Sequence, residues 1–144
     1  MDFAIIAETF QKMEATTKRT ELTSLLVELI KNTPNELIAK AVYLLQGILK
    51  PSFVGLELGI AEKLAIRAIA KSSGISVKKI QNEYNIGGDL GNAAANILKL
   101  KTQTTFIAEP ITLERVYETL LKIANLEGKG SQDLKIKYIS SLLN

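Results

Sequence analysis

The stretch MDFAIIAETFQKM, residues 1–13, sets Phe3, Ile6, Phe10 and Met13 at i, i+3, i+7 and i+10. That spacing marks one face of a helix, because 3.6 residues per turn return a side chain to the same side after three or four positions. Asp2 stands just before the run, where a short acid accepts from first-turn amides that have no partner inside the helix. The same period continues along the chain. Beyond Thr16-Thr17-Lys18-Arg19-Thr20, a second stripe is formed by Leu22, Leu25, Leu26, Leu29 and Ile30. Thr33-Pro34-Asn35-Glu36 reads as a capping box with proline at the first helical position, opening a third helix. KPSFVGLELG, residues 50–59, interrupts the pattern, and Glu62 to Lys71 resumes it until Gly74. Ser76 caps a helix through Tyr84, Asn92 to Leu100 is helical, KTQTTFIAEP at 101–110 is polar and extended, and Thr112 caps a helix to Leu126. Period-2 alternation is absent. The predicted fold class is therefore all-α, an irregular domain of about eight helices.

Composition narrows the chemistry. With 144 residues, 47% of them hydrophobic, the chain can bury one ordinary core and is expected to form a single domain. Cysteine and histidine are both missing, which removes disulfides, thiolate nucleophiles, Ser/His/Asp triads and the usual zinc sites. The N-terminus lacks a basic leader region, and no uncharged apolar run approaches the ~18 residues of a membrane span. A reducing cytoplasm is the expected setting, with no membrane partner. A net charge of +3, from 18 basic and 15 acidic residues, is compatible with a nucleic-acid partner without demanding one.

The two ends of the chain resemble each other. Glu8-Thr9-Phe10-Gln11-Lys12-Met13 aligns without gaps with Glu118-Thr119-Leu120-Leu121-Lys122-Ile123, and Ser24-Leu25-Leu26 reappears as Ser141-Leu142-Leu143. Either one helical hairpin is present twice, or two amphipathic helices have converged on similar patterns. In both copies the turn holds small polar residues and lysine: Thr16-Thr17-Lys18-Arg19, and Gly128-Lys129-Gly130-Ser131.

A helix mouth offers free amides at the positive end of the dipole, and glycines let an anion approach them. Gly128 and Gly130 supply the access, Ser131 a cap and Lys129 a charge, while Lys135 and Lys137 continue a basic edge. A nucleotide-binding P-loop is excluded, since Ile123 stands where its first glycine belongs and Gly130 where its hydroxyl residue belongs. A backbone phosphate of a nucleic acid fits better. The plainer reading makes Gly128 the residue ending one helix and Ser131 the cap of the next. Gly87-Gly88-Asp89-Leu90-Gly91 is also glycine-rich, but a carboxylate at its helix mouth repels phosphate, so a structural role is expected there. Glu57, amid Leu56, Leu58 and Ile60, has no partner acid and is read as a turn residue.

Thr17-Lys18-Arg19, Tyr43-Leu44-Leu45 with Gly47 and Pro51, Gly55-Leu56-Glu57-Leu58-Gly59-Ile60, Gly88-Asp89-Leu90-Gly91 and Gly128-Lys129-Gly130-Ser131 follow in that order. Together they resemble the N-terminal DNA-binding domain of archaeal and eukaryotic ATP-dependent DNA ligases, from about residue 3 to the end. The resemblance implies sequence-independent binding of nicked duplex DNA, in replication, repair and recombination, near the nucleoid. The implied contacts are Thr17, Lys18 and Arg19 in the first turn and Gly128, Lys129, Gly130, Ser131 and Lys135 in the second. ATP and Mg2+ are implied for the parent ligase and no cofactor for this chain. The adenylation motif Lys-x-Asp-Gly does not occur in it, so no catalytic residue or metal ligand is assigned. Adenylation and OB-fold domains are expected elsewhere in the parent, and this chain is expected to hold the first part of the DNA-binding domain. Gln103, Phe106 and Ile107 resemble a Gln-x-x-Phe-Phe motif for a PCNA-type sliding clamp, with Ile107 in place of the second aromatic. A helical protein-interaction scaffold without nucleic-acid binding is the other function class these helices fit.

Overall fold

The computed structural model describes residues 1–101 and 110–144. Among the described residues there are eight α-helices, two short 3-10 turns and no strand, which bears out the all-α class. The chain divides into two compact units, each built from two separate stretches of sequence.

The first unit comprises Met1–Leu58 with Pro110–Asn125. It holds α1 (Phe3–Glu14), α2 (Arg19–Asn32), a 3-10 turn (Asn35–Leu37), α3 (Ile38–Leu45), a second 3-10 turn (Ser52–Val54) and α7 (Leu113–Ala124). Its core is Ile6, Leu29, Leu37, Ala41 and Leu113, with Met1, Phe3, Phe10 and Leu44 packed around them. The expected stripe of α1 is thus the face that is covered. Asp2 and Thr112 cap their helices through their side chains and also form an antiparallel bridge. The Phe3 amide donates to the Ile111 carbonyl at 2.9 Å and the Leu113 amide to the Met1 carbonyl at 2.9 Å. These are the first helical amides of α1 and α7, which have no acceptor inside their own helices. The Met1 ammonium lies 3.3 Å from the Glu114 carboxylate. That carboxyl is held below its ordinary pKa, chiefly by its own backbone amide and further by the Met1 ammonium and the Thr112 hydroxyl. Lys40 Nζ donates to Glu118 at 2.8 Å and lies 5.2 Å from the centre of the Tyr117 ring. The hydrogen bond to Glu118 raises the Lys40 pKa above its usual value. Buried Tyr117 donates its hydroxyl to the Leu49 carbonyl.

One expectation in this unit is corrected. Thr33 does not open a capping box: its hydroxyl donates backwards to the Leu29 carbonyl at 2.6 Å and closes α2. Thr33 is buried, so its hydroxyl takes the nearest free acceptor, a last-turn carbonyl of α2. The chain then passes through the 3-10 turn before α3 begins at Ile38.

The second unit comprises Gly59–Glu109 with Leu126–Asn144. Its helices are α4 (Glu62–Ser73), α5 (Val77–Gly87), α6 (Leu90–Lys99) and α8 (Ser131–Leu143). Helix α4 is central and packs against the other three. One of its faces joins Ile66 and Ile69 to Ile80 and Ile97, and another joins Leu64 and Ala68 to Ile136. Ser140 donates to the Ala68 carbonyl at 3.1 Å, which satisfies a buried hydroxyl and ties α8 to α4. Gly74 stops α4 with φ 73°, and Ser76 caps α5. Asp89 accepts from the Asn92 amide at 2.7 Å and so occupies the mouth of α6, as expected of it. Ala93 is buried in close packing.

The repeated segments match in length but not in surroundings. Helices α1 and α7 have 12 residues each, while α2 has 14 and α8 has 13. Helix α1 packs on α2, whereas α7 packs on α3 and α1, and α8 on α4.

Candidate nucleic-acid interface

The first basic turn belongs to the first unit. Lys18 is extended, with φ −74° and ψ 118°, and forms the N-cap of α2, which no side chain caps. Thr16 shapes the turn: its hydroxyl accepts from the Lys18 amide at 3.2 Å and donates to Glu21 at 2.6 Å. Thr17, Lys18 and Arg19 are exposed. Two cations at a helix start oppose the dipole unless an anion offsets them. Part of that anion is internal, since Lys18 Nζ pairs with Glu21 at 3.3 Å. Arg19 remains exposed at the first position of α2. Sequence reasoning did not assign Lys12, which lines a groove of about 450 Å³ beside this turn together with Thr20 and Ser24. Its position one residue before Met13, at the end of α1, was the available signal.

The second basic turn belongs to the second unit, and both of its glycines are left-handed: Gly128 has φ 85° and Gly130 has φ 82°. Such angles are open to glycine and strained for other residues. Neither part of the plainer reading holds. Helix α7 ends at Ala124 with Asn125 as its C-cap, so Gly128 does not terminate it. Ser131 is the first residue of α8 rather than its cap, because the Ser131 amide already donates to the Gly128 carbonyl at 3.3 Å. Gly130 opens the helix instead, and no side chain caps it by a hydrogen bond. Nothing stands within 4 Å of where a side chain would begin at either glycine, so the approach is open. Lys129 is exposed between them. Asp133 lies in the first turn of α8, 3.9 Å from Arg67. Lys135 is half-buried and donates to the Gly59 carbonyl at 3.1 Å, which leaves two of its N–H groups for other acceptors.

The helix mouths therefore differ in kind. Side chains close those of α1, α5, α6 and α7, while α2 and α8, the two behind the basic turns, lack a side-chain cap. Helices α3 and α4 are uncapped too: α3 opens from the 3-10 turn at Leu37, and α4 opens after Ala61 with Glu62 and Lys63 as its first residues. Gln103, Phe106 and Ile107 lie outside the described residues. Among the described residues, no group of three or more acidic side chains gathers as a metal-binding cluster, and no helix is long and apolar enough to cross a membrane.

The family described as DNA ligase N terminus matches residues 2–144. The chain is 69% identical to a DNA ligase of Nitrosopumilus maritimus (strain SCM1) over 144 residues, covering 100% of this chain and 24% of that ligase. It is 58% identical to a DNA ligase of Cenarchaeum symbiosum (strain A), with 100% and 24% covered. Against a DNA ligase of Thermococcus onnurineus (strain NA1) the identity is 37% over 142 residues, with 99% and 25% covered. The chain spans about a quarter of the length of these curated relatives.

Proposed function

Because the chain belongs to the DNA ligase N-terminus family, we propose that it is the part of an ATP-dependent DNA ligase that holds nicked duplex DNA by its backbone, whatever the sequence. The match across residues 2–144 carries this reading. The two exposed basic turns support it, since cations and amides on phosphates position a protein without reading bases. Thr17, Lys18 and Arg19 serve one phosphate contact. Gly128, Lys129, Gly130, Ser131 and Lys135 serve the other, with the α8 mouth supplying amides and Lys129 the charge. ATP and Mg2+ act in nucleotidyl transfer by the parent enzyme, and Lys-x-Asp-Gly, which these residues lack, belongs to the rest of it.

Fluorescence anisotropy with two nicked duplexes of unrelated sequence tests the reading. Both duplexes should bind equally, and log K should fall with log salt by about 0.9 for each phosphate neutralised. Affinity that ignores salt, or equals that for an uncharged polymer, overturns it. Gln103, Phe106 and Ile107 form the proposed clamp contact. Phe106→Ala should weaken clamp binding by about 2 kcal/mol or more, as loss of an aromatic anchor does, with DNA affinity unchanged.

One observation favours the scaffold reading. Phe53, at the tip of the 3-10 turn Ser52–Val54, is 88% exposed with Val54 beside it, an apolar point suited to a protein surface. Pull-down of a protein partner that Phe53→Ser abolishes, together with no salt-dependent DNA binding, would select that alternative.

A further inference from the structure

The groove beside the first basic turn contains donors that the turn itself does not use. Lys12 and Thr16 form one wall, and Thr20, Glu21, Ser24 and Leu25 of α2 form the other. Glu21, its carboxylate, is occupied by the Thr16 hydroxyl at 2.6 Å and by Lys18 Nζ at 3.3 Å. Lys12 makes no hydrogen bond or ion pair among the described residues, and neither do the side chains of Thr20 and Ser24. Several other hydroxyls on or at the end of helices are occupied: Thr9, Thr23 and Thr33 each donate to the carbonyl four residues earlier. Thr20 and Ser24 are four residues apart on one helix, which stacks their hydroxyls on a single wall.

A groove lined by one ammonium and two hydroxyls without partners, with its one acid already bound, suits an anion carrying several acceptor oxygens. We infer that Lys12, Thr20 and Ser24 form an additional contact to a DNA backbone phosphate, beside the one made by Thr17, Lys18 and Arg19. This deepens the DNA-binding reading and rests on it. The neighbouring charges also set a direction. Glu8 precedes Lys12 by four residues and Glu28 follows Ser24 by four, so each puts a carboxylate one turn further from the mouth. Both carboxylates lie on the side of Lys12 and Ser24 away from the turn, which favours a phosphate at the turn end of the groove.

Three variants of the 144-residue chain, checked for fold by circular dichroism, test this with a nicked duplex. Lys12→Gln should lower the salt slope by about 0.9 and weaken binding about three- to tenfold at ~0.05 M salt, as expected for one lost phosphate contact. Thr20→Val with Ser24→Ala should weaken binding while leaving the slope unchanged, because the hydroxyls are neutral. Lys31→Gln, at the far end of α2, should change neither. If the wild type binds with a salt slope that Lys129→Ala lowers and Lys12→Gln does not, this inference falls and the DNA-binding reading stands. Equal losses from Lys31→Gln and Lys12→Gln also overturn it, since only overall charge would then matter. If the wild type shows no salt-dependent binding, both fall together.

Discussion

Gly130 and Gly88 share a left-handed backbone, with φ 82° and 70°, but face different surroundings. The first opens the uncapped mouth of α8, while the second ends α5 just before the Asp89 cap. Putting a side chain on either strains the backbone by about 1–2 kcal/mol, so the two substitutions form a matched pair. Gly88→Ala should lower the unfolding free energy by about that amount and leave the DNA affinity of folded protein intact. Gly130→Val should cost similar stability and also weaken DNA binding more than Lys129→Ala, because it covers the amides instead of removing a charge. Lys129→Ala should lower the salt slope by about 0.9 with stability unchanged. Anisotropy and urea melts on the same preparations separate the two effects. If Gly88→Ala abolishes binding in folded protein while both changes in the second turn do nothing, the phosphate is at the other glycine-rich mouth. Tyr117→Phe tests a different residue: it leaves the Leu49 carbonyl without its buried donor and should cost about 1–3 kcal/mol in urea unfolding.

At the scale of elements, the caps carry separable amounts of stability. Asp89→Ala should destabilise the second unit by about 1 kcal/mol, since the Asn92 amide loses its acceptor. Hydrogen exchange in α6 would register the change. Caps and stripes were legible in the sequence at Asp2, Ser76, Asp89 and Thr112, where a short polar side chain precedes an apolar period and nothing competes for it. Legibility failed at Thr33, because a buried hydroxyl chooses its acceptor from the tertiary surroundings, and the Leu29 carbonyl was the one within reach. It failed again at Ser131, whose amide is taken by a turn made possible by two left-handed glycines on either side of Lys129. The basic residues of both turns could be read directly. The internal pairing of Lys18 with Glu21, and the anchoring of Lys135 on the Gly59 carbonyl, depend on backbone paths that spacing alone does not define.

For the whole molecule, the division into two units makes stability a local quantity, because each unit has its own apolar core. Ile6→Ala empties the centre of the first unit and should cost it about 2–5 kcal/mol. Hydrogen exchange should register that loss in α1, α2, α3 and α7 more than in α4, α5, α6 and α8. Titration should also be felt in the first unit. The Glu114 carboxyl has a lowered pKa, so its contribution is present above the unfolded value of 4.5 and disappears as pH falls through the lower folded value. The Lys40 pKa is raised, so its contribution is present below 10.5 and disappears as pH climbs through the higher folded value. Melting followed at acid and alkaline pH should show both losses, with Glu114→Gln removing the first and Lys40→Met the second. The bridge between Asp2 and Thr112 also bears on how the chain is made. On a ribosome, the partner strand for the first helix is synthesised only after roughly 110 further residues, a delay of about 5–20 s at ordinary elongation rates. Through that interval Ile6 and Leu29 have no Leu113 to close over them, so the nascent chain carries an open apolar surface until the seventh helix is made.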